Sequence, residues 1–120
     1  DRVGMHIAPR GDALVWAGVE QCGYKLMEAD LSPATGKGEF LAAIARAIEA
    51  PDWFGHNLDA LNDALGDLSW LPAPGYVLLL QGGDKSFGLS PAEYHAVMEI
   101  FSDTVDFWKT QGKPFWVFHT

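Results

Sequence analysis

Cysteine is nearly absent from this chain of 120 residues. Cys22 stands alone, so no intrachain disulfide can form and the chain can fold and persist in a reducing compartment. Long apolar runs are missing too: stretches such as Tyr76 to Leu80 fall far short of the roughly 20 residues that a membrane-spanning helix needs. No basic region followed by an apolar one opens the sequence, as a secretory leader would require, and the expected location is the cytoplasm. Positive charge is scarce. Lys and Arg number 8 against 16 Asp and Glu, a formal net charge of −8 and a pI near 4.7. Binding to phosphate relies on Lys and Arg displacing counterions, so this balance argues against nucleic acid as a direct partner and for a basic protein instead. There is no nucleophile elbow, no HExxH pair and no EF-hand spacing. Gly82 and Gly83 follow a predicted strand but lack the GK[ST] ending of a phosphate-binding loop, so they read as a plain turn.

What is present is enough for one core. An apolar content of 48% over this length fits a single domain, residues 1–120, with no room for a second. Val3 to Pro9 alternates as a short edge strand would, with Pro9 unable to donate to a ladder. From Asp12 to Cys22, Leu14, Val15, Val19 and Cys22 fit a helical stripe that Asp12 would cap and Gly23 would stop, and a strand over Ala13 to Ala17 is nearly as good a fit. Tyr24 to Leu31 reads as a strand and the SPATGKG run at 32–38 as a loop. Phe40, Leu41, Ile44, Ala45 and Ile48 recur at helical spacing, predicting a helix from about Lys37 to Glu49 that ends before Pro51. The LPAPG run at 71–75 breaks helicity, and YVLLL at 76–80 is the continuous apolar run of a strand buried on both faces. Ser90, Pro91 and Glu93 form a capping box with Pro at the first helical position, opening a helix to about Thr110 whose buried stripe would be Tyr94, Val97, Met98, Phe101, Val105 and Trp108. Gly112 would stop it and Phe115 to His119 would be the last strand. Strands separated by crossovers of this length pair in parallel, so the expected class is α/β with a small parallel sheet packed by helices.

The most informative stretch is Pro51 to Trp70, PDWFGHNLDALNDALGDLSW. Asn57 is placed to cap a helix starting at Leu58. At about 100° per residue, Leu58, Leu61, Leu65 and Leu68 fall on one face and Asp59, Asp63 and Asp67 on the opposite one. Acids four apart on a helix repel by about 0.2–0.5 kcal/mol per pair, and an ordinary solvated face offsets this with interleaved Lys or Arg. Here nothing does. Between Arg46 and Lys85 the chain has no Lys or Arg, while Glu49, Asp52, Asp59, Asp63, Asp67 and Asp84 all fall in the interval. The helix dipole favours Asp59 in the first turn and disfavours Asp67 near the last. On physical grounds alone a solvated solubility face and a binding face for a cationic partner are equally good explanations.

Other chemistry is less well supported by the pattern. A hydrolase would use His56 as general base with Asp59 and Asp63 as partners, since a His beside a helix N-terminus and a carboxylate can be tuned toward neutral pH. A metal site would take His56 or Asn57 with Asp59 and Asp63, but a rigid helix offers few converging oxygen donors. His6, His95 and His119 are scattered. Trp53, Phe54 and Trp70 flank the acidic helix, and at least two of these aromatics are expected to clamp its ends from the core; one left exposed would be an interface anchor.

The run PDWFGHNLDALNDAL resembles the signature of the barstar family, intracellular inhibitors of secreted ribonucleases such as barnase: Pro, two aromatics, Gly, Asn-Leu-Asp-Ala-Leu and a second Asp four residues on. The resemblance covers about Tyr24 to His119. It leaves residues 1–22 as an N-terminal extension and implies a three-stranded parallel sheet covered by helices. It further implies that Asp59 and Asp63 are the acids that enter a ribonuclease's basic active site, that Trp53 takes the place of an interface Tyr, and that Asp103 is a further acidic contact. This sequence departs from the family pattern in several places. Asn62 replaces an interface Trp, His56 stands where an acid is found, and Asp67 replaces a small residue; the last helix is extended. Asp59, Asp63, Asp103, Trp53, Asn57, Asn62, Asp67 and His56 are therefore the expected partner-binding residues. The expected partner is a basic ribonuclease, barnase-like or another toxin nuclease, bound one to one by a monomer without cofactor or metal. A barstar-like domain binding some other basic protein is the remaining alternative.

Overall fold

The computed structural model describes residues 23–52, 54–82 and 86–119, together with the backbone of residues 5–7. The elements in chain order are β1 (Met5–Ile7), β2 (Lys25–Asp30), α1 (Lys37–Ala47), α2 (Leu58–Leu65), β3 (Tyr76–Gln81), α3 (Pro91–Thr110) and β4 (Phe115–His119). The four strands form one sheet in the order β1-β4-β3-β2, and every pairing is parallel, with Lys25 opposite Tyr76, Tyr76 opposite Phe115 and Met5 opposite Val117. The three strands expected from the sequence are all present, and the short edge strand expected near the N-terminus joins them beside β4. Expectations for Asp12 to Ala17 and on to Cys22 lie outside the described residues. No helix among the described residues is long and apolar enough to cross a membrane.

Burial explains the layout. β3 is an inner strand and Tyr76 to Leu80 are all buried, which is why its sequence is continuous rather than alternating. One core joins the sheet to the helices: Met27, Ala29, Leu78, Leu80, Phe115 and Val117 meet Phe40, Leu41 and Ile44 of α1, Leu61 and Leu65 of α2, and Val97, Phe101 and Val105 of α3. Two indole groups finish helix ends that would otherwise leave buried carbonyls unpaired. Trp70 Nε1 donates to the Ile48 carbonyl at 2.8 Å, just past α1, and Trp108 Nε1 donates to the Leu65 carbonyl at 2.7 Å, at the last residue of α2. Phe54 is buried as well, so two of the three flanking aromatics act from the core; Trp53 lies outside the described residues.

The acidic helix is shorter than its Leu periodicity predicts. It ends at Leu65 with Gly66 as C-cap, so Asp67 and Leu68 lie beyond it rather than in its last turn. The N–H groups of Asp67 and Leu68 both reach the Ala64 carbonyl at 3.1 Å, and Leu68 adopts φ +50, which takes the chain out of the helix. Leu68 remains fully buried. The apolar pattern therefore continues past the point where the backbone stops being helical. On α3 the capping box forms as expected, with Ser90 and Glu93 exchanging side-chain and backbone hydrogen bonds. Tyr94 and Met98 are half-buried rather than fully enclosed, and Thr104 joins the buried stripe, its hydroxyl donating to the Ile100 carbonyl at 2.8 Å.

Tyr76 links these layers. It is 1% exposed, its hydroxyl donates to the Leu71 carbonyl at 2.8 Å, and its ring contacts Trp108 and Phe115 at 5.3 and 5.9 Å. Burial pushes its phenol pKa up. With the folded value above the unfolded value of about 10, the stability this group contributes is present below about pH 10 and is lost as pH rises through the folded pKa. Tyr76→Phe should cost about 1 kcal/mol at pH 7 by removing the hydrogen bond, and should flatten the loss of stability as pH rises above about 10. Urea midpoints of the two proteins at neutral and alkaline pH measure both effects.

Candidate functional site

The site begins with a cap. Asn57 is extended at φ −142, and its Oδ1 accepts the Ala60 N–H at 2.7 Å, satisfying one of the donors a helix start leaves open. Gly55 makes this approach possible, because a Cβ there would sit 3.0 Å from Asn57 Nδ2. With the start fixed and Leu61, Ala64 and Leu65 buried, Asp59, Asn62 and Asp63 are turned to solvent. The Asn57 side chain is thus committed to the fold. His56 is exposed at the entry, its ring edge-on to Phe54 at 5.5 Å and 80°.

α3 supplies the facing wall. Val97, Phe101, Thr104, Val105 and Trp108 point into the core, so the neighbouring stripe of the same helix faces α2 across an open groove. One end of the groove is lined by Leu58, Asp59, Ala96 and Glu99, the other by Asp63, Gly66, Thr104 and Phe107. Asn62 and Asp103 line both ends and so sit in its middle. Four of the expected contact residues, Asp59, Asn62, Asp63 and Asp103, are brought together. Asp67 is exposed past the C-cap, and it lines neither end of the groove, nor do His56 and Asn57.

Charge in this region is left uncompensated. Among the described residues the ion pairs are Lys25 with Glu49 at 3.2 Å and His95 with Glu99 at 3.6 Å, the second charged only when His95 is protonated; none of Asp59, Asp63, Asp67 and Asp103 takes part in one. No hydrogen bond joins His56 to Asp59 or Asp63 among the described residues, and no group of three or more His, Cys, Asp or Glu side chains there is arranged to hold a metal ion. What the arrangement can do is accept cations and hydrogen-bond donors from a partner along the groove.

Sequence reasoning had Asp103 by resemblance but missed Glu99, Thr104 and Phe107 on the same wall. A signal was available: Ala96, Glu99, Ile100, Asp103 and Phe107 recur at three and four residues beside the buried stripe, and α3 has no Lys or Arg before Lys109. No curated protein matches the sequence. The family model described as barstar (barnase inhibitor) matches residues 24–120, which takes in β2, β3, β4, all three helices and every residue of the groove. A three-strand parallel core with a capped acidic helix, matched over that span, places this chain in the barstar family.

Proposed function

We propose that the protein is a ribonuclease inhibitor that acts by occupation, setting the acidic face of α2 and Asp103 of α3 into the basic active site of a secreted or toxin ribonuclease. The observation that carries this reading is the convergence of Asp59, Asp63 and Asp103 on one groove with no cation of the described chain to neutralise them. A ribonuclease arranges Arg, Lys and His to hold phosphate. Carboxylates on a rigid helix fill the same positions but offer no bond to cleave, so blocking needs no chemistry from the inhibitor. In this reading Asp59 and Asp63 are the principal contacts, Asn62 and Asp103 line the middle of the interface, Asp67 and His56 lie at its rim, Trp53 supplies an aromatic contact, and Asn57 contributes by holding the helix start. The inhibitor works as a monomer in a one-to-one complex, in the cytoplasm of a cell that must survive the nuclease. Titration against a panel of catalytically inactivated secreted ribonucleases, barnase among them, tests the proposal. Binding without any metal requirement supports it; capture of a basic protein that is not a nuclease would assign the same face to another target.

Asp63→Ala should weaken the complex more than any other single change on α2, because it strands desolvated cations on the partner, a loss of about 2 kcal/mol or more. Isothermal titration reads this, and a loss below about tenfold, or about 1.4 kcal/mol, would make Asp63 a rim charge.

Association should be fast and sensitive to salt. The Debye length shortens from about 10 Å at 0.1 M to about 3 Å at 1 M ionic strength, so the on-rate should fall steeply over that range while the off-rate changes less. Stopped-flow mixing at several NaCl concentrations separates the two. A flat on-rate would remove electrostatic steering from the mechanism.

Asp67 provides a test of the trade between binding and stability. It lies past the C-cap, near the negative end of the α2 dipole and four residues from Asp63. Asp67→Asn should therefore raise the urea midpoint of the uncomplexed protein at low salt, by an amount worth up to about 1 kcal/mol, and should slow association with the nuclease.

A further inference from the structure

The groove holds one feature that an acidic helix does not explain. Phe107 is 42% exposed, although it stands on a helix whose neighbouring stripe is fully enclosed, and it shares its end of the groove with Asn62, Asp63, Gly66, Asp103 and Thr104. Its ring is not loose. It packs against Trp108 at 5.2 Å and 76°, and Trp108 is itself held by the hydrogen bond to the Leu65 carbonyl. The fold therefore fixes an aromatic ring beside two carboxylates and leaves much of that ring to solvent. On the α2 side no large side chain fills the space: Asn62 and Gly66 are there, and the amide of Asn62 adds a hydrogen-bond acceptor.

An aromatic face next to carboxylates distinguishes between the two basic side chains. A guanidinium is planar and weakly hydrated, stacks on a ring, and presents a fork of donors that matches carboxylates, whereas an ammonium is a compact, strongly hydrated charge that gains less from the ring. We propose that Phe107 is a specificity-determining contact: the Asp63 end of the groove selects an arginine of the partner over a lysine, stacking its guanidinium on Phe107 and pairing it with Asp63 and Asp103. This extends the inhibitor reading, on which the identity of the partner rests, but the selectivity belongs to the groove and can be measured without the partner.

The experiment is an NMR titration of the whole chain with two probes, N-acetyl-Arg-Arg amide and N-acetyl-Lys-Lys amide, following the Asn62 side-chain amide and the Phe107 ring. The arginine probe should bind about two- to fivefold more tightly. That preference should vanish in Phe107→Ala and persist in Phe107→Tyr, while Asp63→Asn should weaken both probes. Equal affinities, a preference that survives Phe107→Ala, or no perturbation of these signals by either probe would overturn the proposal. The two readings fail separately: an arginine preference in a protein that inhibits no ribonuclease would sink the inhibitor reading alone, and ribonuclease inhibition by a protein without the preference would sink this one alone.

Discussion

The hydrogen bond from the Trp108 indole to the Leu65 carbonyl is the contact on which the geometry of the groove depends. A short helix such as α2 has little stability of its own, since nucleation is costly and few turns offset it. Its C-terminal carbonyl is buried against the core, where an unmet acceptor would cost about 1–3 kcal/mol. The indole meets that need from the other wall of the groove, and so couples the end of α2 to α3. The same Trp108 ring packs on Tyr76 and on Phe107. One side chain thus registers the sheet, the acidic helix and the exposed aromatic against one another. At the opposite end of α2 the Asn57 cap does the same work with a side chain that sequence alone identifies.

Held this way, the backbone that carries the acidic face is tied down at both ends, which limits the ordering left to do when a cationic partner binds. Flexible carboxylates would rotate away from one another and lose their ordering entropy again on binding. Here the helix keeps Asp59 and Asp63 one turn apart, and a partner that supplies cations gains by removing their repulsion. The ion pairs that do form among the described residues, Lys25 with Glu49 and His95 with Glu99, involve neither of these acids. Among the described residues, Glu99 at the Asp59 end of the groove is the one groove acid in an ion pair, and then only when His95 is protonated.

How much of this the sequence disclosed follows from which interactions are local. The Asn57 cap and the Ser90–Glu93 capping box are written in residues three apart, so both were legible, as was β3 from its unbroken apolar run. The end of α2 was not, because Leu68 keeps the helical spacing while adopting φ +50; periodicity reports burial, and here burial outlasts the helix. Thr104 reads as a polar interruption of the α3 stripe until its bond to the Ile100 carbonyl is seen. The α3 wall of the groove was only partly legible, since Asn62 and Phe107 are brought to one place by packing that links residues 43 apart through Trp108 and Leu65. Asp103 was found by resemblance, and its neighbours were not.

The short strand near the N-terminus lies at the edge of the sheet beside β4. The family match begins at residue 24, so β1 lies outside the matched portion and pairs with β4, which would otherwise be an edge strand. An uncovered edge presents unpaired N–H and C=O groups to any strand that meets it, and β1 moves that edge outward by one short strand. The other edge, β2, alternates buried Met27 and Ala29 with exposed Glu28 and Asp30, acids that discourage pairing with a further strand. Among the described residues β1 pairs with β4, and α2 and α3 make up both walls of the groove. Both edges of the described sheet are thus guarded, β4 by a further paired strand and β2 by its exposed acids, and neither device draws on the acids of the groove.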